Sequence, residues 1–108
     1  MLHLVSARDF RDEVLTEAAP VLVAWVRRDG NFSNLGRTLE AVSENCEGKV
    51  KVCLLEDGQG EYFREEYHVM GTPTFLLFES GREMGRLLGK ADEEALEGFI
   101  DRTLDRDH

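Results

Sequence analysis

Apolar runs of strand length alternate with stretches of helical periodicity along this chain. The most continuous run extends from Val21 to Val26 after Pro20, and its length predicts a strand buried on both faces in the middle of a parallel sheet. After a polar turn, apolar side chains recur three and four residues apart, which predicts a helix that ends at Gly48. The apolar face of that helix carries Leu35, Leu39, Val42 and Cys46.

The remaining segments predict four more strands and three more helices. Strands are predicted at Leu2–Val5 and at residues 50–54, and a helical pattern follows each of them. Two apolar runs joined only by residues 79–82 predict an antiparallel hairpin. The hairpin strands are Thr74–Phe78 and Met84–Leu88, and the helices cover Phe10–Ala18, Glu61–His68 and the segment after Asp92. The order βαβαβαββα predicts an α/β fold, with a central mixed five-stranded sheet flanked by four helices.

Length and charge limit the functions that the chain can have. Its 108 residues suffice for one compact domain, which we expect to span residues 1–108. Acidic residues outnumber basic ones by 22 to 13, and the net charge of -9 opposes binding to nucleic acid or to an anionic membrane. No apolar stretch reaches the roughly 20 residues of a membrane helix, and the N-terminal sequence lacks the pattern of a secretory signal. We therefore expect a cytoplasmic protein.

The two cysteines, Cys46 and Cys53, are seven positions apart and form no CxxC motif. Neither stands at a metal-ligand spacing from another Cys or His, and the sequence predicts no metal and no cofactor. Buried free thiols are the expected state, although a disulfide is conceivable if the two Cα atoms lie within about 7 Å.

Two segments of the chain resemble the thioredoxin family. One is Pro20–Trp25, which leads into a turn and a helix, and the other is Val69–Phe78 followed by Glu79–Arg82. In that family the first segment is the central strand before the active-site turn. The second holds a loop with a cis-proline, here Pro73, and the hairpin after it. The resemblance covers nearly the whole chain, from about residue 5 to residue 104, and implies the thioredoxin fold.

The resemblance also places the redox motif of the family on residues without sulfur. The family's CGPC sequence falls on residues 30–33, where Gly30 replaces the nucleophilic cysteine and Ser33 replaces the second one. A hydroxyl neither forms a disulfide nor ionises near neutral pH without a dedicated base. The family's buried aspartate falls on Ala24, and the lysine near it falls on residue 54 or 53, neither of which is charged. We therefore predict a redox-inactive protein that is not an enzyme.

Two further departures from the family surround that turn. Asp29 stands where the family has a tryptophan, and the proline that usually kinks the following helix is absent near Thr38. Both changes alter the surface around the turn, so we expect substrate recognition to differ from that of the family as well.

The predicted binding site combines the turn with the proline loop. Its residues are Gly30, Asn31, Phe32, Ser33, Thr72 and Pro73. The cis peptide bond that the resemblance implies would present the backbone of Thr72 to an extended peptide, and the alternative is a turn that only shapes the sheet. Phe32 is either an exposed interface anchor or packed beneath the turn. The polar residues 31, 33 and 34 are either helix caps or anion ligands.

Three functional hypotheses follow from these observations. The leading one is an adaptor or holding module that binds a protein or an extended peptide through this site. The second is an atypical thiol–disulfide oxidoreductase or redox sensor acting through Cys46 or Cys53, which requires an exposed thiol with a lowered pKa. The third is a structural subunit whose fold serves assembly, with a homodimer as one form.

Overall fold

The structure consists of a five-stranded sheet between two layers of helices. The computed structural model describes residues 2–30 and 32–106. The strands are β1 (His3–Val5), β2 (Val21–Trp25), β3 (Lys51–Leu55), β4 (Thr74–Glu79) and β5 (Arg82–Leu88). The helices are a π-helix (Arg11–Leu15), α1 (Phe32–Asn45), α2 (Gly60–Tyr67) and α3 (Glu93–Arg106). Along the chain these elements follow the predicted order, with the π-helix in the place of the first helix.

The strand order across the sheet is β1-β3-β2-β4-β5. The strands β1, β3 and β2 are parallel to one another, and β4 and β5 are antiparallel to their neighbours. The prediction of a mixed sheet with Val21–Trp25 at its centre is therefore confirmed.

The central strand β2 is apolar throughout because a core lies on each side of it. Leu22 and Ala24 face the core beneath α1 and α3, whereas Val21 and Val23 face the core beneath the π-helix and α2. All four side chains are at most 1% exposed. Side chains of successive strand residues point to opposite faces, so a strand covered on both sides needs apolar residues at every position.

The first helix differs from the predicted one in its hydrogen bonding. A regular helix was expected from the spacing of Phe10 and Val14, and both side chains are indeed buried. The turn is wider than an α-helical turn because the Thr16 N–H donates to the Arg11 carbonyl, five residues back, at 3.0 Å. The Thr16 hydroxyl donates to the same carbonyl at 3.2 Å and closes the segment.

A two-residue turn joins β4 to β5, as the short connection predicts. Ser80 and Gly81 both have positive φ, 54° and 79°, which is the backbone of a type I′ hairpin turn. The flanking residues Glu79 and Arg82 are paired across the hairpin. This turn matches the twist of the two strands and sets their register.

The last helix begins at a capping carboxylate. The Ala95 N–H donates to Asp92 Oδ1 at 2.8 Å, which satisfies one of the free donors of the first turn. Leu96 and Ile100 point into the core, at 0% and 2% exposure. The predicted amphipathic C-terminal helix is thus confirmed. Within residues 2–30 and 32–106, no helix has the length and apolar character to cross a bilayer.

Candidate functional site

The proline loop meets the end of β2 on the edge of the sheet where α1 starts. Trp25 pairs with Thr74, so Pro73 lies beside Val26. The peptide bond between Thr72 and Pro73 is cis, as the family resemblance implied. Within the described part of the chain, the backbone of Thr72 takes part in no backbone hydrogen bond. The loop therefore leaves one residue with free main-chain groups next to the proline.

A cavity of about 540 Å³ opens beside this loop. We term it the proline-loop cavity, and it is lined by Val26, Arg27, Asp29, Asn34, Leu35, Thr38, Thr72, Pro73, Lys90, Ala91 and Asp92. Thr72 and Pro73 are the predicted site residues that line it, whereas Gly30, Phe32 and Ser33 do not. The sixth predicted residue, Asn31, lies outside the described residues. The structure thus places the cavity on the α3 side of the predicted turn.

Phe32 packs inward at the start of α1. Its ring is half-buried and lies against the core beneath α1 and α3. The guanidinium of Arg28 covers the outer face, with Cζ 4.4 Å from the ring centroid. Arg28 Nη2 also donates to the Leu55 carbonyl at 3.1 Å, which fixes the cation over the ring. Of the two alternatives for Phe32, the structure gives the inward one.

The other described residues of the turn are exposed. A Cβ added to Gly30 would meet nothing within 4 Å, so open space lies over this position. Ser33 and Asn34 are also exposed. Asn34 Oδ1 accepts a hydrogen bond from Arg37 Nη2 at 2.6 Å, so this side chain is held by its own helix. This side of the turn presents backbone and small polar groups to solvent.

Sequence reasoning missed the wall of the cavity that comes from the β5–α3 connection. Lys90, Ala91 and Asp92 follow the last strand, and nothing in their local pattern marks a site. A topological signal was available, because ligands of open α/β sheets bind beyond the carboxyl ends of the parallel strands. β2 ends at this edge, and the start of α3 lies beside it.

The two thiols lie outside the lining of the proline-loop cavity and in the cores on opposite faces of the sheet. Cys46 directly follows α1 and belongs to the core beneath α1 and α3, whereas Cys53 in β3 belongs to the other core. Both are free. Cys46 is 9% exposed and Cys53 is 0% exposed. A disulfide between them would have to cross the sheet, so the fold separates the two sulfurs.

Electrostatics keep both thiols protonated near neutral pH. Burial raises the pKa of Cys46, and the carboxylates of Glu97 and Asp101 raise it further, against the opposing effect of Lys49. Burial raises the pKa of Cys53 to about 11. The lowered pKa that an activated thiol would need is therefore absent at both positions.

The helix α1 separates the proline-loop cavity from Cys46. Asn34 and Leu35 in its first turn line the cavity, and Cys46 follows its last turn. Because α1 has 14 residues and rises about 1.5 Å per residue, roughly 20 Å separate its two ends. The proline-loop cavity and Cys46 therefore lie at opposite ends of α1.

Relatives that match along almost the entire chain are named thioredoxin. The protein of that name from Pseudomonas aeruginosa is 30% identical over 105 residues, which cover 94% of this chain and 97% of that one. Thioredoxin from Rickettsia felis is 28% identical and covers 96% of this chain and all of its own length. Thioredoxin from a Synechocystis strain is 27% identical, with 93% of this chain and 94% of that protein covered.

These names contradict the prediction of a redox-inactive adaptor that is not an enzyme. That prediction equated the missing sulfur pair at residues 30–33 with a loss of all thiol chemistry. The relatives carry the name of a disulfide oxidoreductase, and the chain retains two thiols of its own, both buried, of which Cys46 is the less buried. Nothing in the fold assigns an adaptor role, and the adaptor interpretation is withdrawn.

The family relationship rests on the whole sequence and on the fold together. The sequence model of the thioredoxin family matches residues 1–102. The mixed five-stranded sheet, the helices on both of its faces and the cis bond before Pro73 agree with the fold that the resemblance implied. The chain adopts the thioredoxin fold and belongs to the thioredoxin family.

Proposed function

We propose that this chain is an atypical thiol–disulfide oxidoreductase or redox sensor whose reacting group is the Cys46 thiol. The observation that carries the proposal is the difference in exposure between the two thiols, 9% for Cys46 and 0% for Cys53. The names of the relatives support thiol–disulfide exchange as the reaction. The family's cysteine pair is absent from residues 30–33, so a thiol elsewhere must react.

The reaction uses one thiol of this chain, because Cys53 lies across the sheet and cannot resolve a disulfide at Cys46. The Cys46 thiolate attacks one sulfur of a disulfide R–S–S–R′, and a bond forms between Cys46 Sγ and the sulfur of R. The S–S bond of the substrate breaks, and R′ leaves as a thiolate that takes up a proton. An external thiol R″–SH, as its thiolate, then attacks the sulfur of R in the mixed disulfide. A new disulfide R–S–S–R″ forms, the S–S bond to Cys46 breaks, and Cys46 leaves as a thiolate that takes up a proton. Over the cycle R′ is released as a thiol, and R″ takes its place in the disulfide.

The raised pKa of Cys46 sets the pace of this exchange. Only the thiolate attacks, and burial together with Glu97 and Asp101 keeps the thiolate fraction small at neutral pH. Exchange is therefore slow at neutral pH and accelerates as the pH rises toward the pKa. A thiol that reacts slowly is better suited to a sensor of sustained oxidation than to a rapid catalyst.

The partner, the binding face and the location belong to the same proposal. A protein or an extended peptide is the proposed partner, and Thr72 and Pro73 with the turn 30–33 form the proposed binding face. The free main-chain groups of Thr72 support this assignment. We also propose that residues 1–108 act as one domain in the cytoplasm, where Cys46 stays reduced until a disulfide reaches it.

Incubation of the reduced protein with oxidised glutathione tests the reaction. A single glutathione adduct is expected on Cys46, because this residue is the less buried of the two cysteines. Intact mass and peptide mapping measure the adduct. The Cys46→Ser variant is expected to form none, and the Cys53→Ser variant is expected to react like the original protein. An adduct confined to Cys53, or none at alkaline pH in a protein that reacts when unfolded, contradicts the proposal.

A charge variant checks that the reactivity belongs to the folded site. Asp101→Asn removes one of the carboxylates that raise the pKa of Cys46, so adduct formation near neutral pH is expected to be about two- to fivefold faster. Asp105→Asn, one turn further along α3, serves as the control with the same charge change and no expected effect. Equal rates in all three proteins would show that Cys46 reacts only after local unfolding.

A further inference from the structure

We infer that Met70 is a site of oxidation by hydrogen peroxide, and that its sulfur is converted to the sulfoxide before either thiol of the chain is oxidised. Met70 lies in the loop between α2 and β4, and the proposed exchange at Cys46 does not use it. The inference therefore goes beyond the proposed function and can be tested separately from it.

Met70 is the most exposed sulfur-containing residue among residues 2–30 and 32–106. It is 82% exposed, whereas Cys46 is 9% exposed and Cys53 is 0% exposed. The other described methionine, Met84, lies in β5 and is partly buried. A peroxide molecule in water can therefore reach the Met70 sulfur without any opening of the fold.

The end of α2 directs the Met70 side chain outward. His68 has a positive φ of 56°, so the helix ends in a left-handed residue. The Val69 N–H then donates to the Phe63 carbonyl at 3.3 Å. The Val69 side chain lies in the core beneath the π-helix and α2, at 1% exposure. Because Val69 takes the inward position, the next residue is left in solvent.

The chain is also held in place on the other side of Met70. The Thr74 hydroxyl donates to the Gly71 carbonyl at 2.7 Å, and Thr74 is 2% exposed in β4. A Cβ added to Gly71 would meet nothing within 4 Å, so open space lies beside the residue that follows Met70. An additional oxygen on the Met70 sulfur can therefore be accommodated without displacing the buried residues on either side.

The reaction transfers one oxygen atom to sulfur and two electrons to the peroxide. A lone pair of the Met70 sulfur attacks one peroxide oxygen, and the O–O bond breaks as the S–O bond forms. The departing hydroxide takes the proton from the oxygen that stays on sulfur and leaves as water. The product is a sulfoxide, which places a polar group on the surface two residues before Thr72. Methionine sulfoxide reductases can return it to the thioether.

The two thiols are poorly prepared for the same oxidant. A thiolate is a strong nucleophile, but burial raises the pKa of both Cys46 and Cys53 and keeps the thiolate fraction small at neutral pH. The thioether of Met70 has no proton to lose before it reacts. Access and ionisation together therefore favour Met70 when the oxidant is a peroxide. A disulfide cannot exchange with a thioether, so Cys46 remains the proposed target of disulfides.

Treatment of the folded, reduced protein with hydrogen peroxide at about pH 6.5 tests the order of oxidation. Peptide mapping by mass spectrometry assigns each added oxygen to a residue. Met70 is expected to be oxidised about three- to tenfold faster than Met84, because it is the more exposed of the two. When Met70 is fully converted, thiol titration of the unfolded protein is expected to find both cysteines reduced. Oxidation of Cys46 or Cys53 ahead of Met70, or equal rates at the two methionines, would overturn the inference.

Matched variants show whether the fold causes the preference. Met70→Leu is expected to abolish the fast oxidation and to leave the rate at Met84 unchanged, whereas Met84→Leu is expected to retain the fast oxidation at Met70. In protein unfolded by urea, the two methionines are expected to react at equal rates. A preference for Met70 that persists in the unfolded protein would assign the effect to the neighbouring sequence and contradict the inference.

Two further measurements test the modified protein and its relation to Cys46. The melting temperature of the protein with sulfoxide at Met70 is expected to change by less than about 2 °C, because the modified group stays in solvent. A larger loss would show that the loop does not accommodate the sulfoxide. Met70→Leu is expected to form the glutathione adduct on Cys46 at an unchanged rate. Slow oxidation of Met70 with intact adduct formation would refute this inference alone, and the reverse result would refute the Cys46 proposal alone.

Discussion

Gly60 and Trp25 make a contact that only a glycine permits. Gly60 begins α2, and a Cβ at this position would lie closer than 3.0 Å to three atoms of the indole ring. The indole ring cannot shift away from Gly60 without disturbing Phe63, because the two rings pack edge-on with centroids 6.4 Å apart. The missing side chain thus sets how closely the start of α2 approaches the end of β2.

Replacement of Gly60 by alanine tests this contact. We expect Gly60→Ala to lower the free energy of unfolding by about 1–3 kcal/mol, because the added methyl group overfills the contact with Trp25. Urea unfolding followed by circular dichroism measures the change. In the matched control Gly36→Ala, inside α1, the new Cβ meets nothing within 4 Å, so a gain of about 0.5–1 kcal/mol is expected. A Gly60→Ala protein as stable as the original would refute the argument.

The burial of single residues was predictable only where the local pattern was continuous. The unbroken apolar run of β2 predicted burial on both faces, and the structure confirms it. Phe32 left two alternatives open, because a turn has no periodicity and its burial depends on Arg28, whose guanidinium covers the ring. The expectation that Cys46 and Cys53 are buried free thiols is confirmed.

At the scale of elements, the β4–β5 hairpin is tied to the π-helix through its turn. Gly81 has φ +79°, and a Cβ there would lie 3.0 Å from the Leu15 carbonyl oxygen. The turn therefore needs a glycine for two reasons, its left-handed backbone and its close approach to another element. The hairpin and the first helix are positioned together at this point.

Alanine substitutions at two glycines separate these reasons. Gly48→Ala introduces a side chain at φ +87° in open space, so we expect a loss of about 1–2 kcal/mol from backbone strain alone. Gly81→Ala is expected to cost about 1 kcal/mol more, because the methyl group also meets the Leu15 carbonyl. Thermal or urea unfolding measures both. Equal losses would show that the approach to Leu15 is not restrictive.

The order and type of the elements followed from the sequence, but the details of their ends did not. Periodicity places a helix near Phe10 and Val14, yet the hydrogen bonds of Thr16 to the Arg11 carbonyl decide that it is a π-helix. The proline-loop cavity is a similar case. It is assembled from residues 26–38 together with the distant segments 72–73 and 90–92, so no local pattern could reveal Lys90 as part of its wall.

At the scale of the whole molecule, the sheet acts as a barrier between the two thiols. Cys53 belongs to β3, and its side chain lies in the core beneath the π-helix and α2. Burial there raises the pKa of this thiol to about 11. In the unfolded chain the same thiol has its ordinary pKa of 9.0. The folded protein therefore holds this proton over a range of pH in which the unfolded chain has lost it.

This difference makes stability depend on pH in the alkaline range. Between pH 9 and about 11 the folded state binds more protons than the unfolded state, so the free energy of unfolding falls as the pH rises through this window. The expected loss from Cys53 is roughly 2–3 kcal/mol, from a shift of about two pKa units. Urea unfolding at a series of pH values measures it. The Cys53→Ala variant is expected to show a shallower decline, and an identical decline in both proteins would assign the effect to other groups.

The contact of Trp25 with Gly60 also gives the molecule an intrinsic optical probe. Trp25 is the chain's one tryptophan, and it lies one residue before Val26, which lines the cavity. Its fluorescence will respond both to the separation of α2 from β2 and to the entry of a ligand beside Val26. Folding and occupancy can therefore be monitored in the same unlabelled sample, with emission as the only signal.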